Sequence, residues 1–130
     1  MTRRVIFVAL VVAAANVVAQ MQVRDRDTTW VAPDAAASKP NPLATRPDTA
    51  LGGRKIFEQR CTTCHGEDAR GTDRGPDLLA TDVQAQTDGA LFWKISSGNS
   101  RAGMPSFSFL PEPQRWQLVL HLRSVAKARS

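Results

Sequence analysis

The chain has 130 residues, a formal net charge of +5 and two cysteines. That length allows one domain at most, and two cysteines cannot build a disulfide framework or a four-cysteine zinc site. The cations form no clustered stripe, so a nucleic-acid partner is not supported.

Residues 1–19 have the pattern of a secretory signal peptide. Arg3 and Arg4 form a positive start, and Val5 to Ala15 is an unbroken apolar run. Val17 and Ala19 are small residues at the −3 and −1 positions, so cleavage is expected after Ala19. Val5 to Ala19 is 15 residues, short of the roughly 20 that a spanning helix needs. An uncleaved membrane anchor is the alternative. No cysteine follows the site, so a lipoprotein is not expected. The expected location is therefore the periplasm, and loss of Arg3 and Arg4 brings the net charge to +3.

Residues 20–48 form an extension rich in Ala, Pro, Asp and charge. Pro33, Pro40, Pro42 and Pro47 interrupt any helix there. It is either a disordered linker or a strap lying on the domain or on a partner, with Trp30 and Leu43 as anchors.

A first helix is expected from Asp48 or Thr49 as N-cap up to Cys61. Ile56 and Phe57 share a side of it with Cys61. Gly52 and Gly53 are poor helix formers, which points to close approach by another backbone. There follows the run Cys61-Thr62-Thr63-Cys64-His65. C-x-x-C-H is the attachment signature of a c-type haem. The two thiols add across the vinyl groups, and the adjacent His is held under the iron as proximal ligand. A thioredoxin-like redox pair would want a βαβ context, which is absent. A zinc site would want further ligands, and the only other His is His121. A plain disulfide is compatible with export. The motif occurs once, so one haem c is expected, attached by two thioethers.

Residues 66–77 form a loop with Gly66, Gly71, Gly75 and Pro76 as turn residues. A second helix is expected from near Asp88 to Ser97, ending at Gly98, with Leu91, Phe92 and Ile95 apolar. Pro105 disfavours helix at Met104, so Gly103-Met104-Pro105 reads as a loop. The last helix spans about Pro111 to Ala128. Leu118, His121, Leu122 and Val125 make one apolar stripe on it, and Trp116, Val119 and Leu120 a neighbouring one. No strand alternation of useful length occurs, so the domain reads as all-α. Glu67, Asp68, Asp73 and Asp77 read as solvated loop carboxylates, because none sits at a ligand spacing. Arg70, Arg74 and Arg101 suit either a propionate, a partner's acidic surface or plain solvent.

Gly53 to Gly66 closely resembles the first helix and haem site of class I cytochromes c. Gly75-Pro76-Asp77-Leu78 resembles the Gly-Pro-x-Leu stretch that follows it. Gly103-Met104-Pro105-Ser106-Phe107 resembles the distal methionine loop of small bacterial members, and Glu112 to Val125 their C-terminal helix. The resemblance covers about residues 50–127 in the right order. It implies a cytochrome c domain over 49–130, with about three to four helices around one covalently bound haem. It also implies residue roles. His65 would bind iron through Nε2 while its Nδ1–H donates to the Pro76 carbonyl. Met104 would be the distal ligand, and its soft thioether would raise the potential relative to a harder ligand. Met104 is also the only methionine inside the resembling region. Leu78, Trp93 and Phe107 would pack around the haem. Gly53 and Phe57 would meet Leu118, His121 and Leu122 where the first and last helices cross. His121 departs from the family, which usually carries an aromatic such as Tyr there, and reads as a core or interface residue.

The resemblance implies an exported one-electron carrier rather than an enzyme, with no small-molecule substrate of its own. Its partners would be redox proteins, such as a membrane respiratory complex or a periplasmic dehydrogenase. The alternatives are a haem sensor or peroxidase-like protein with a labile distal ligand, and a docking subunit of a larger oxidoreductase.

Overall fold

The computed structural model describes residues 29–130. The expected signal segment, its cleavage site and residues 20–28 of the extension lie outside the described residues. The described elements are α1 (Asp34–Ala37), α2 (Ala50–Arg60), α3 (Thr62–His65), α4 (Thr81–Gln84), α5 (Asp88–Ser97) and α6 (Glu112–Lys127). Three-residue 3₁₀ turns precede α2 (Pro47–Thr49) and follow α5 (Ser100–Ala102). Among the described residues there is no strand, only an isolated antiparallel bridge between Asn99 and Met104. Among the described residues the fold is all-α, as expected, with six helices in place of the expected three or four. The additional ones, α1, α3 and α4, have four residues each, too short to show a hydrophobic period. No described helix is long and apolar enough to cross a membrane.

Each long helix has a local cause. Thr87 caps α5, its Oγ1 accepting from the Ala90 N–H at 3.1 Å, and Asp88 sits in the positive first turn. Gly98 stops the helix at φ +64°, with its N–H on the Lys94 carbonyl. α6 starts behind Pro111, with Pro113 in its first turn, where a missing N–H costs nothing. The start of α2 differs from the expectation. Thr49 is helical in φ/ψ and makes no side-chain cap. Its hydroxyl instead donates to the Arg46 carbonyl at 2.7 Å, because the 3₁₀ turn already occupies the backbone before Ala50.

α2 and α6 cross in direct backbone contact. A Cβ on Gly53 would lie 1.9 Å from the Gln117 carbonyl oxygen, so only Gly fits at the crossing. Phe57, Ala69, Leu118 and Leu122 form a buried cluster there, flanked by Ile56, Cys61, Leu78, Leu79, Ile95 and Leu110. A second cluster of Leu91, Trp116 and Val119 joins α5 to α6, with Phe92 stacked on Trp116 at 3.9 Å. Ile95 touches both clusters. Each large side chain buried in this way contributes about 1.5–3 kcal/mol.

The described part of the extension lies on the outer side of α5. The Thr87 hydroxyl donates to the Ala37 carbonyl at 2.6 Å, Asn41 is buried and reaches the Trp116 carbonyl at 3.5 Å, and Leu43 packs on the second cluster. One helical turn, α1, forms between Pro33 and Pro40 despite the prolines, which fall outside it.

Candidate functional site

The one-turn helix α3 collects the three chemically distinctive side chains. The His65 N–H bonds the Cys61 carbonyl at 2.9 Å and the Cys64 N–H bonds it at 3.2 Å. Positions i, i+3 and i+4 of one turn lie side by side, so Cys61, Cys64 and His65 share one side. Both thiols are unpaired and half-buried. Burial, followed by the neighbouring Cys64, pushes the Cys61 thiol up to about 11, so it stays protonated at neutral pH.

His65 is buried, and its Nδ1 stands 3.0 Å from the Pro76 carbonyl oxygen. A carbonyl can only accept, so Nδ1 carries the proton and the Nε2 lone pair is left for a metal. The loop after α3 is folded back to make this contact. The Gly71 N–H bonds the His65 carbonyl at 2.8 Å, and the Thr72 N–H bonds the Gly75 carbonyl at 2.9 Å. The Thr72 hydroxyl donates to the Cys64 carbonyl at 2.6 Å. Gly75 fits against the motif so closely that a Cβ would come 2.8 Å from the Cys64 carbonyl and 3.1 Å from His65 Nδ1. Leu78 is half-buried in the first cluster, its N–H on the Ala69 carbonyl at 2.9 Å.

Met104 is half-buried at the end of a tight loop. Its N–H and carbonyl pair with the carbonyl and N–H of Asn99, both at 2.9 Å. Phe107 is buried and donates its N–H to the Ile95 carbonyl at 3.1 Å. A Cβ on Gly98 would meet the Pro105 carbon and oxygen at 2.5 and 2.6 Å. The Met104 loop is therefore fastened to the last turn of α5.

Trp93 is half-buried on α5, where Gly89 lies under the extension and Leu91 and Ile95 enter the core clusters. His121 is buried at the α2–α6 crossing, its ring 5.2 Å from that of Phe57. Asp77 Oδ1 accepts from the Leu79 N–H at 2.7 Å, and Asp68 Oδ1 from the Arg70 N–H at 3.2 Å. No group of three or more metal-binding side chains occurs among the described residues. Arg70, Arg74 and Arg101 are exposed. Sequence reasoning missed Thr72 and Asn99, which work through backbone contacts that no motif marks.

The donor set suits a c-type haem. Two neighbouring thiols can form thioethers, and an imidazole with Nδ1 anchored offers iron its other nitrogen. The cradle at Gly75 keeps that ring fixed.

The comparisons agree with this chemistry. A family model described as cytochrome c oxidase, cbb3-type, subunit III, matches residues 48–122. The cytochrome c subunit of the cytochrome bc1 complex from Corynebacterium efficiens is 34% identical over 73 residues, which cover 54% of this chain and 22% of that protein. The chain thus spans about a fifth of that relative's length. With more than half of its residues inside the family match, the chain belongs to the cbb3-type cytochrome c oxidase subunit III family and is a c-type cytochrome.

Proposed function

We propose that the chain is an exported, single-haem electron carrier, with Cys61 and Cys64 as thioether sites and His65 and Met104 as axial ligands. The observation that carries this reading is the His65 Nδ1 to Pro76 contact at 3.0 Å, which commits the imidazole to donate Nε2. When bound, the haem supplies a one-electron iron couple. His65 is oriented by Pro76 and Gly75. Met104, the one methionine among the described residues, is held by Asn99. With His65 and Met104 both holding the iron, no position would be left open to a substrate, which would suit electron transfer. The chain then needs no catalytic residue of its own. Leu78 and Phe107 would line the cofactor and keep water from it.

The relative named as a subunit of the cytochrome bc1 complex supports work inside, or alongside, a respiratory complex. The signal-like residues 1–19 support a periplasmic location, with a membrane anchor if they are retained.

Optical spectra of the haem-loaded protein, ferric and ferrous, with and without carbon monoxide, test the ligand set. We expect a low-spin spectrum, a weak methionine-to-ferric charge-transfer band and no response to carbon monoxide. Met104→Ala should lower the midpoint potential and admit carbon monoxide. A parent protein that binds carbon monoxide readily would instead make the sensor or peroxidase-like reading the better one.

A further inference from the structure

Residues 29–47 lie before the family match, which begins at residue 48, yet they are packed on the domain. Three contacts fasten them to α5. At Gly89, a Cβ would come within 2.2 Å of the Ala36 carbonyl oxygen, 2.7 Å of that of Lys39 and 2.8 Å of that of Ala37. The end of α1 therefore sits on bare helix backbone. The Thr87 hydroxyl, which caps α5, also donates to the Ala37 carbonyl at 2.6 Å. Further along, the Lys94 ammonium lies 4.7 Å from the centre of the Trp30 ring, a cation–π contact on a half-buried lysine.

The Lys94 contact falls on the turn that carries the Met104 loop. The Lys94 carbonyl accepts from the Gly98 N–H. Gly98 seats Pro105, Asn99 pairs with Met104, and the Ile95 carbonyl takes the Phe107 N–H. The Ser106 hydroxyl donates to the Ser96 carbonyl at 2.6 Å. From the other side the same turn is held by Ile95 in the core and by Arg115, whose guanidinium donates to Ser96 Oγ at 2.5 Å. A ten-residue helix is not stable alone, so its position follows whatever grips both sides.

We propose that the segment from Trp30 to Asn41 is a clamp that fixes the last turn of α5, and through it the Met104 loop, with Trp30 as a positioning residue and Gly89 as the seat. The proposal rests on Met104 being the distal iron ligand. Replacing that ligand by an external one requires the loop to open locally. Such openings become easier as the contacts of the segment that opens are removed.

Imidazole binding to the ferric, haem-loaded full chain, followed by stopped flow, reads this opening. Gly89→Ala displaces the clamp while giving α5 a better helix former. Trp30→Leu removes the ring, whereas Trp30→Phe keeps a ring over Lys94. Gly89→Ala and Trp30→Leu should bind imidazole about tenfold faster than the parent, through a lower barrier to loop opening, and Trp30→Phe should bind at the parent rate. The rescue by Phe separates positioning of the loop from a general loss of packing. Met104→Ala gives the open-iron limit. If Gly89→Ala and Trp30→Leu both match a slow parent while Met104→Ala is fast, the clamp is overturned and the ligand assignment stands. If the parent is already as fast as Met104→Ala, the ligand assignment fails and takes the clamp with it.

Discussion

Gly52 and Gly53 stand next to each other in α2, yet they meet α6 in opposite ways. A Cβ on Gly53 would strike backbone: the Gln117 carbonyl oxygen at 1.9 Å, its carbon at 2.4 Å and the Leu118 nitrogen at 2.9 Å. Helix backbone cannot yield, so Gly53→Ala must push α2 and α6 apart and loosen Phe57, Leu118 and Leu122. We expect a loss of about 3 kcal/mol or more, seen as a fall in Tm of more than about 10 °C. A Cβ on Gly52 would meet only the Gln117 side-chain amide, at 2.7 Å from Oε1, and that flexible end can swing away. Gly52→Ala then keeps the gain of helix propensity, up to about 1 kcal/mol. Thermal unfolding of the two haem-loaded variants should move in opposite directions or, at the least, separate sharply. Helix propensity alone announces a close approach near these two glycines, and the family resemblance assigns it to Gly53; what stayed open was its partner Gln117, which the rotation of α2 against α6 selects. Ala69, buried with φ +62°, carries no such sign. Its left-handed backbone is imposed by the loop around His65, and no local residue preference signals it.

At the scale of elements, Arg123 ties α6 to α4 and α5. Its Nε bonds Asp88 Oδ1 at 2.9 Å. One terminal nitrogen donates to the Gln84 carbonyl at 2.7 Å and to Gln84 Oε1 at 3.1 Å, and the other donates to the Gln86 carbonyl. The planar fork of Arg serves all these acceptors together, which the point charge of Lys cannot do. Arg123→Lys should therefore fail to substitute. Arg123→Met should cost about 2 kcal/mol, because hydrogen bonds to charged groups contribute about 1.5–3 kcal/mol and the Gln84 and Gln86 carbonyls lose their partner. Faster hydrogen exchange in residues 81–91, with α2 unchanged, would distinguish this from general destabilisation. The helices α5 and α6 were legible because each combines a period with a boundary signal: α5 has Leu91, Ile95 and the stop at Gly98, and α6 has two apolar stripes and the start at Pro111. α4 was not legible, since a four-residue helix shows no period and its partner Arg123 lies 39 residues away along the chain. The docking of the extension was open for a similar reason. Trp30 and Leu43 could be named as anchors, but their partners Lys94 and the α5–α6 cluster are remote in sequence.

Across the whole molecule, the site was more legible than its support. Cys61, Cys64 and His65 are consecutive enough for one turn to assemble them. The backbone pairing that holds Met104 uses Asn99, whose role is conformational rather than chemical. The crossing that joins the ends of the domain also holds a titratable group, His121. Burial lowers its pKa below 6.5, Arg54 lowers it further, and Glu58 opposes them. Arg54 and Glu58 pair with each other at 2.8 Å on the adjoining face of α2. Above about pH 6.5 His121 is neutral in both folded and unfolded chains, and its full contribution is present. As pH falls below that value, the unfolded chain takes up the proton first, so stability declines until the folded value is passed. His121→Phe removes the titration and keeps a ring against Phe57. The parent's Tm should therefore fall between about pH 7 and pH 5 more steeply than that of His121→Phe, while the low-spin spectrum of the variant stays unchanged. Parallel Tm profiles would assign the acid sensitivity to other groups, and an altered spectrum would give His121 a part in binding the iron. Unequal profiles with one shared spectrum would make the α2–α6 crossing the acid-labile joint of the fold, separate from the residues that hold the haem.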